Sequence, residues 1–147
     1  MLVLLLLPNM ENVKANVLLC RILANQGRLD EALMLLEKVI AGDKLNPGLH
    51  YLRAMILQEQ GADNEASTSL KNALYLDQNL VIAHVALANL ALRLGNQKEY
   101  RKYLKNALSI LSGYGEDEIL PESEGMTAGR LMKIIGAMDV MGDRNER

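Results

Sequence analysis

The sequence predicts an all-α fold: three stacked helical pairs followed by a single helix that closes the C-terminal end. Three observations predict it. Gly27, Gly61 and Gly95 recur at an interval of thirty-four residues, and Glu31, Glu65 and Glu99, and Leu36, Leu70 and Leu104, keep the same interval. On both sides of each glycine the apolar residues fall at helical spacing, as in Leu19, Ile22 and Leu23 or Leu104, Leu108 and Leu111. The 147 residues contain only three prolines, which favours long helices over a many-stranded sandwich. A single helical pair cannot cover such stripes, whereas stacked pairs cover one another.

Aligned on the glycines, the repeats run over 13–46, 47–80 and 81–114, each with a first helix before its glycine and a second after it. Residues 1–12 hold the apolar run Leu2–Leu7, read as the end of a preceding helix. Asn46-Pro47 places a capping side chain before a proline at the first helical position. Gly42 to Lys44 reads as a small insertion after the first repeat. Asn96 followed by Glu99 forms a capping box that opens the last second helix. Residues 115–126, with Gly115, Pro121 and five acids from Glu116 to Glu124, read as a solvated acidic loop. Helical periodicity returns over 127–140 through Leu131, Ile134, Ile135 and Met138, as a capping helix. Residues 141–147 read as a frayed tail.

Composition excludes several function classes. A formal charge of −2 and a pI near 5.7 leave no electrostatic footprint for nucleic acid. The single cysteine, Cys20, excludes an internal disulfide framework and fits a reducing compartment. Leu2–Leu7 is too short to span a bilayer and lacks a basic leader and a cleavage site, so no membrane insertion is expected and cytoplasmic placement is the default. No strand, glycine-rich loop and helix follow one another as a nucleotide site requires, and no cofactor is expected.

The residues that suggest chemistry have repeat equivalents. His50 and His84 both take the fourth position of their repeats and are read as packing residues, not metal ligands. Cys20 aligns with Ala54 and Ala88, a small buried position and not a nucleophile. With the histidines so assigned, no catalytic grouping remains, and the chain reads as a non-enzyme. Arg53 aligns with the core positions Leu19 and Leu87, so a snorkelling side chain is expected, with a role in partner binding as the alternative. Tyr100 stands where Ala32 and Ala66 are small. Lys98, Arg101, Lys102 and Lys105 make one helix basic, and the acidic loop after it neutralises or masks that face.

The thirty-four-residue pattern with its hairpin glycine resembles the tetratricopeptide repeat. That resemblance implies a right-handed α-solenoid whose first helices line a concave groove for a protein or peptide partner. The implied groove positions are Lys14, Val17, Arg21 and Asn25 in the first repeat, with Ala24 between them. In the second they are Tyr51, Met55, Gln58 and Glu59, beside Gly48. In the third they are Ile82, Val85, Asn89, Leu92 and Arg93. Val17, Tyr51, Met55, Ile82 and Val85 suit apolar anchors, and Arg21 and Arg93 suit carboxylates. The carboxylate clamp of chaperone-cofactor repeats would need polar residues where Val17, Leu52, Ile82 and Ala86 stand, which disfavours a chaperone-tail binder.

Four stretches are more particular: LHYLRAMILQEQG at 49–61, LKNALYLDQNLVIAHVALANLALRLGN at 70–96, KNALSIL at 105–111 and LPESEGMTAGRL at 120–131. Over about 45–137 they resemble the tetratricopeptide extension at the C-terminus of bacterial chemotaxis receptor methyltransferases of the CheR type. The resemblance implies a docking module in chemosensory signalling, with a chemoreceptor, a response regulator or a methyltransferase domain as partner. It does not import the enzyme, whose S-adenosylmethionine site belongs to a separate domain. A general adaptor in secretion or pilus assembly is the alternative reading. A self-associating structural module, a homo-oligomer, is the other.

Overall fold

A computed structural model describes the backbone of residues 10–145 and the side chains of residues 13–138. The Leu2–Leu7 run, expected as the end of a preceding helix, lies outside the described residues. Seven helices form among those described: α1 (Met10–Asn25), α2 (Leu29–Gly42), α3 (Pro47–Glu59), α4 (Asp63–Leu76), α5 (Val81–Arg93), α6 (Gln97–Leu111) and α7 (Ala128–Asn145). The chain divides into two compact units, one ending at Leu76 and the other beginning at Asp77. No strand forms among the described residues, which are all-α apart from turns and one isolated bridge.

The first unit holds two helical hairpins, α1–α2 and α3–α4, with α2 also packed on α3. Each hairpin turns on its glycine. Gly27 and Gly61 both have φ of +78°, a left-handed conformation that costs glycine little and an L side chain much more. Arg28 N donates to Leu23 O (2.9 Å) and Gly27 N to Ala24 O (3.0 Å). Ala62 N to Leu57 O (2.9 Å) and Gly61 N to Gln58 O (3.0 Å) repeat the pair, so both first helices end in a Schellman motif. Asn46 Oδ1 accepts from Gly48 N (3.0 Å), capping α3 with Pro47 at its first turn.

Cys20, Ala32, Leu36, Val39, Leu49, Leu52 and Ile56 form the core of this unit. Cys20 and Ala54, equivalent in register, are both fully buried, as the close approach of paired helices requires. Not every residue of the expected stripes is core: Leu19, Leu33 and Ile40 are half-buried and Ile22 is exposed. Arg53 departs further. Its Nε pairs with Glu37 Oε1 on α2, and its guanidinium donates to Ser69 Oγ on α4. Ser69 is buried, so Arg53 ties three helices together and satisfies a hydroxyl that has left water.

The second unit opens with a loop over 77–80 that matches 43–46 in length. Leu80 N donates to Asp77 O (3.2 Å) as Asn46 N donates to Asp43 O (3.4 Å). The expected insertion at Gly42–Lys44 is therefore absent; Gly42 is the last residue of α2, as Leu76 is of α4. His50 Nε2 bonds Lys44 O (3.0 Å), and His84 Nε2 bonds Gln78 O (2.8 Å). A carbonyl only accepts, so each Nε2 carries the proton. Both histidines thus pin the loop that precedes their own helix, six residues back.

Hairpin α5–α6 turns on Gly95 at φ +76°. Asn96 N donates to Ala91 O (2.9 Å) and Gly95 N to Leu92 O (3.2 Å), the same pair of bonds that closes the other two first helices. Asn96 Oδ1 accepts from Glu99 N (3.1 Å), the capping bond expected at the start of α6. Tyr100 is buried in the place that Ala32 and Ala66 take in the other hairpins. Burial, and then the Glu99 carboxylate, raise the Tyr103 phenol above its ordinary range.

The segment after α6 is less solvated than its acids suggest. Leu120 is buried, and Ile119 and Thr127 form an isolated antiparallel bridge. Leu120 N donates to Met126 O (2.9 Å), Ala128 N to Glu118 O (2.8 Å) and Gly129 N to Glu116 O (2.9 Å). The loop is thus laced to the first turn of α7, which packs on α5 and α6. Leu131 and Ile135 are the buried face of α7, while Ile134 is exposed. The helix continues to Asn145, past residue 140 where a frayed tail was expected.

Four outcomes follow from this packing. A Cβ added at Gly61 meets nothing within 4 Å, so Gly61→Ala should cost about 1 kcal/mol from conformation alone in urea denaturation. Arg53→Met should destabilise by about 1–2 kcal/mol, because it strands the Ser69 hydroxyl; an unchanged midpoint would mean the tie is idle. Burial lifts the Cys20 thiol to about 11, so iodoacetamide at pH 8 should label it only as fast as the hairpin opens. The same shift contributes stability that is level below pH 9 and is lost from there towards about 11, since the unfolded thiol ionises first.

Candidate functional site

The positions implied for partner binding lie on the first helix of each repeat, α1, α3 and α5. On α1, Lys14 and Asn25 are exposed, while Val17 and Arg21 are half-buried. Their spacing of three and four residues places them along one side of the helix. Val17 also packs against the core cluster, so only part of its surface faces outward.

On α3 the division is sharper. Leu49, Leu52, Ile56 and Leu57 are buried, whereas Tyr51, Met55 and Gln58 are half-buried and Glu59 is exposed. Tyr51, Met55 and Gln58 follow one another at four and three residues, a continuous stripe. The stripe combines an aromatic ring, a polarizable thioether and an amide. These groups accept apolar anchors and still offer hydrogen bonds at the edge.

On α5 the expected set does not hold together. Ile82 is 6% exposed and offers no surface to a partner. Val81, Ile82, Ala83 and His84 are four consecutive buried residues, so the first turn of α5 has no outward side. Ile82 is therefore corrected from a groove residue to a core residue. Val85 and Leu92 are half-buried, and Asn89 and Arg93 are exposed, so an outward face persists from Val85 onward.

Arg53 and the histidines are spoken for by the bonds described above. Among the described residues, no three of His, Cys, Asp and Glu come together as a metal site, and no helix is long and apolar enough to cross a membrane. The exposed basic residues of α6 include Lys102, whose Nζ lies 5.1 Å from the Tyr103 ring centroid. That contact turns one of the four basic groups along its own helix. Reasoning from sequence overlooked several exposed apolar side chains, among them Leu18, Met34, Leu45, Tyr75 and Ile119. For Leu18 the signal was available, since its repeat equivalent Leu52 is apolar too. For Tyr75 and Ile119 the sequence carries none.

Comparison with known proteins places this geometry. Residues 47–80 match the tetratricopeptide repeat family model. No curated protein matches the chain. Among solved structures, it is similar to the Yersinia enterocolitica type III secretion chaperone SycD in complex with a peptide of the translocator YopD. The TM-score is 0.79 at 13% identity, covering 95% of this chain and 98% of that one. An alternative dimer of the same chaperone gives 0.80 at 13% identity, with coverage of 95% and 97%. A MamA point mutant gives 0.61 at 28% identity, covering 71% of this chain and 77% of that one. With the glycine-centred hairpins and the buried small positions already described, these likenesses identify an all-α protein of the tetratricopeptide-repeat fold, with a tetratricopeptide repeat at residues 47–80.

Proposed function

We propose that the chain is an adaptor that holds a peptide or helical segment of a partner protein against the outward faces of its first helices. The observation that carries this reading is the stripe on α3. Tyr51, Met55 and Gln58 stay half-exposed at helical spacing beside a fully used core face. A core does not need a tyrosine and a methionine kept at its edge, whereas a partner's apolar anchor does. Val85 and Leu92 on α5 supply a second apolar face of the same kind, bordered by Asn89 and Arg93.

The likenesses favour the general adaptor over chemosensory signalling. A solved protein of this fold is a secretion chaperone seen with a peptide of a translocator. The chemosensory reading, linked to receptor methylation, stands on the four sequence stretches and on no matched relative. In both readings the chain acts by binding, without catalysis and without a cofactor, and cytoplasmic placement belongs to the same proposal.

The test uses two variants, Tyr51→Glu/Met55→Glu and Val85→Glu/Leu92→Glu, each checked for retained helicity and melting. A charge at a half-buried anchor should weaken the partner at least about tenfold per hot-spot residue. Proteins captured from source-cell lysate are identified by mass spectrometry, and their affinity is then measured by calorimetry. Secretion or assembly substrates lost from the variants support the adaptor. Chemoreceptors, methylation enzymes or response regulators lost from them move the function to chemosensory signalling. Partners retained by both variants reject the first-helix faces, and heat released by S-adenosylmethionine would reject a non-catalytic role.

A further inference from the structure

The outward face of α6 carries charge of one sign. Lys98, Lys102 and Lys105 are exposed and follow one another at four and three residues, so they line one side of the helix. Arg101, also exposed, lies beside them, and Leu108, 46% exposed, continues the line toward the C-terminus. The other side is core, where Tyr100, Tyr103, Leu104, Ala107 and Leu111 are buried. Glu99 is the one acid of the helix, and it is half-buried beside Tyr103.

Folding does not call for this arrangement. Lys98 is the second residue of α6, where the helix dipole favours an acid. α2 and α4 follow that rule, with Asp30 and Glu31 in the first turn of one and Asp63 and Glu65 in that of the other. The repeat equivalents of Lys98 are Asp30 and Asn64, and those of Lys102 are Met34 and Thr68. Like charges three or four residues apart repel, as Lys98 and Lys102 do, and Lys102 and Lys105. Among the described residues, no hydrogen bond or ion pair joins these three lysines to a carboxylate. The acidic loop expected to neutralise them is partly engaged elsewhere. Glu118 Oε1 accepts from Gly115 N (2.9 Å), and the carbonyls of Glu116 and Glu118 accept from the start of α7.

We propose that this stripe docks an acidic segment of a partner protein, whose carboxylates meet Lys98, Lys102 and Lys105 and whose apolar residue rests on Leu108. From Lys98 to Lys105 the stripe runs about 10 Å, the length of two turns of a partner helix. Charge complementarity over that length selects carboxylates at helical spacing. A nucleic acid finds no stacking platform here, since both tyrosines of α6 are buried. A bilayer would need an apolar face beside the lysines, and that of α6 is spent in the core. The site lies on a second helix and stands independently of the first-helix reading.

The probe is a labelled helical peptide with glutamates at i, i+4 and i+7 on one face, followed by fluorescence anisotropy with the full chain. Lys98→Glu/Lys105→Glu should weaken its binding about tenfold or more. Lys102 stays in place because its Nζ lies over the Tyr103 ring. Lys38→Glu/Lys71→Glu makes the same change in net charge at exposed lysines of α2 and α4, and should leave binding within about twofold. Relief of repulsion along α6 should hold the folding equilibrium constant of Lys98→Glu/Lys105→Glu level or raise it by about twofold. Lost binding is then separable from lost structure. Equal weakening by the two variants would overturn the proposal, because bulk charge would account for the attraction. So would tighter binding of the wild type to a DNA duplex or to phosphatidylserine vesicles than to the peptide. Peptide binding seen only with Glu116→Gln/Asp117→Asn/Glu122→Gln would assign the stripe to the acidic loop and reject a partner there.

Discussion

The left-handed backbone at Gly27, Gly61 and Gly95, with φ of 78°, 78° and 76°, is the constraint on which the rest of the structure depends. It reverses the chain between two helices within the span of a Schellman motif, using the final carbonyls of the first helix as acceptors. Once the reversal is fixed, the paired helices meet at the same residues every time. Cys20, Ala54 and Ala88 are fully buried on the first helices, and Ala32 and Ala66 on the second. Small residues there let the backbones approach, and the larger Leu36, Leu70 and Leu104 fill the space beside them. Tyr100 shows that the rule bends: an aromatic ring occupies the equivalent site in α6 and is still buried.

Polar groups finish what the apolar register begins. His50 and His84 each hold the loop before their helix by a bond to a carbonyl six residues back. Asn46 and Asn96 satisfy amides that their helices leave without partners. Arg53 joins Glu37 and Ser69, so a cation at a core position is paired on one side and relieves a buried hydroxyl on the other. Such ties bring modest stability individually, since each replaces bonds to water. Of these ties only Arg53 runs between helices, so it alone holds one helix against its neighbours.

What remains outward is the material for function. On α3 the core takes Leu49, Leu52 and Ile56 and leaves Tyr51, Met55 and Gln58 at its edge. On α5 enclosure of the first turn removes Ile82 from any outward face and leaves Val85, Asn89, Leu92 and Arg93. The acidic segment before α7 is likewise divided. Its carboxylates are exposed, yet Leu120 is buried and two backbone bonds anchor the segment to the helix that follows.

The hairpins were legible in sequence because they are local: a glycine, a cap and a helical period are each read within a few residues. The caps at Asn46 and Asn96, the buried small residue at Cys20 and the sites of the three turns follow from those signals. The binding faces were legible only as repeat positions, because which of them stay outward depends on neighbours distant in sequence. Ile82 and Val85 both occupy groove slots in the repeat grammar, and packing alone separates the buried one from the half-exposed one. The partners of Arg53 were hidden for the same reason, since they lie sixteen residues away on either side, on α2 and α4. The order of hydrogen bonds in the acidic loop was invisible, for backbone bonds leave no mark on side-chain identity. By itself, then, the sequence determined the all-α class, the period and the turns, which are set by local stereochemistry. Only the tertiary structure decided which polar groups are tied and which apolar groups stay exposed, because burial is a property of surfaces that meet and not of the residues that carry them.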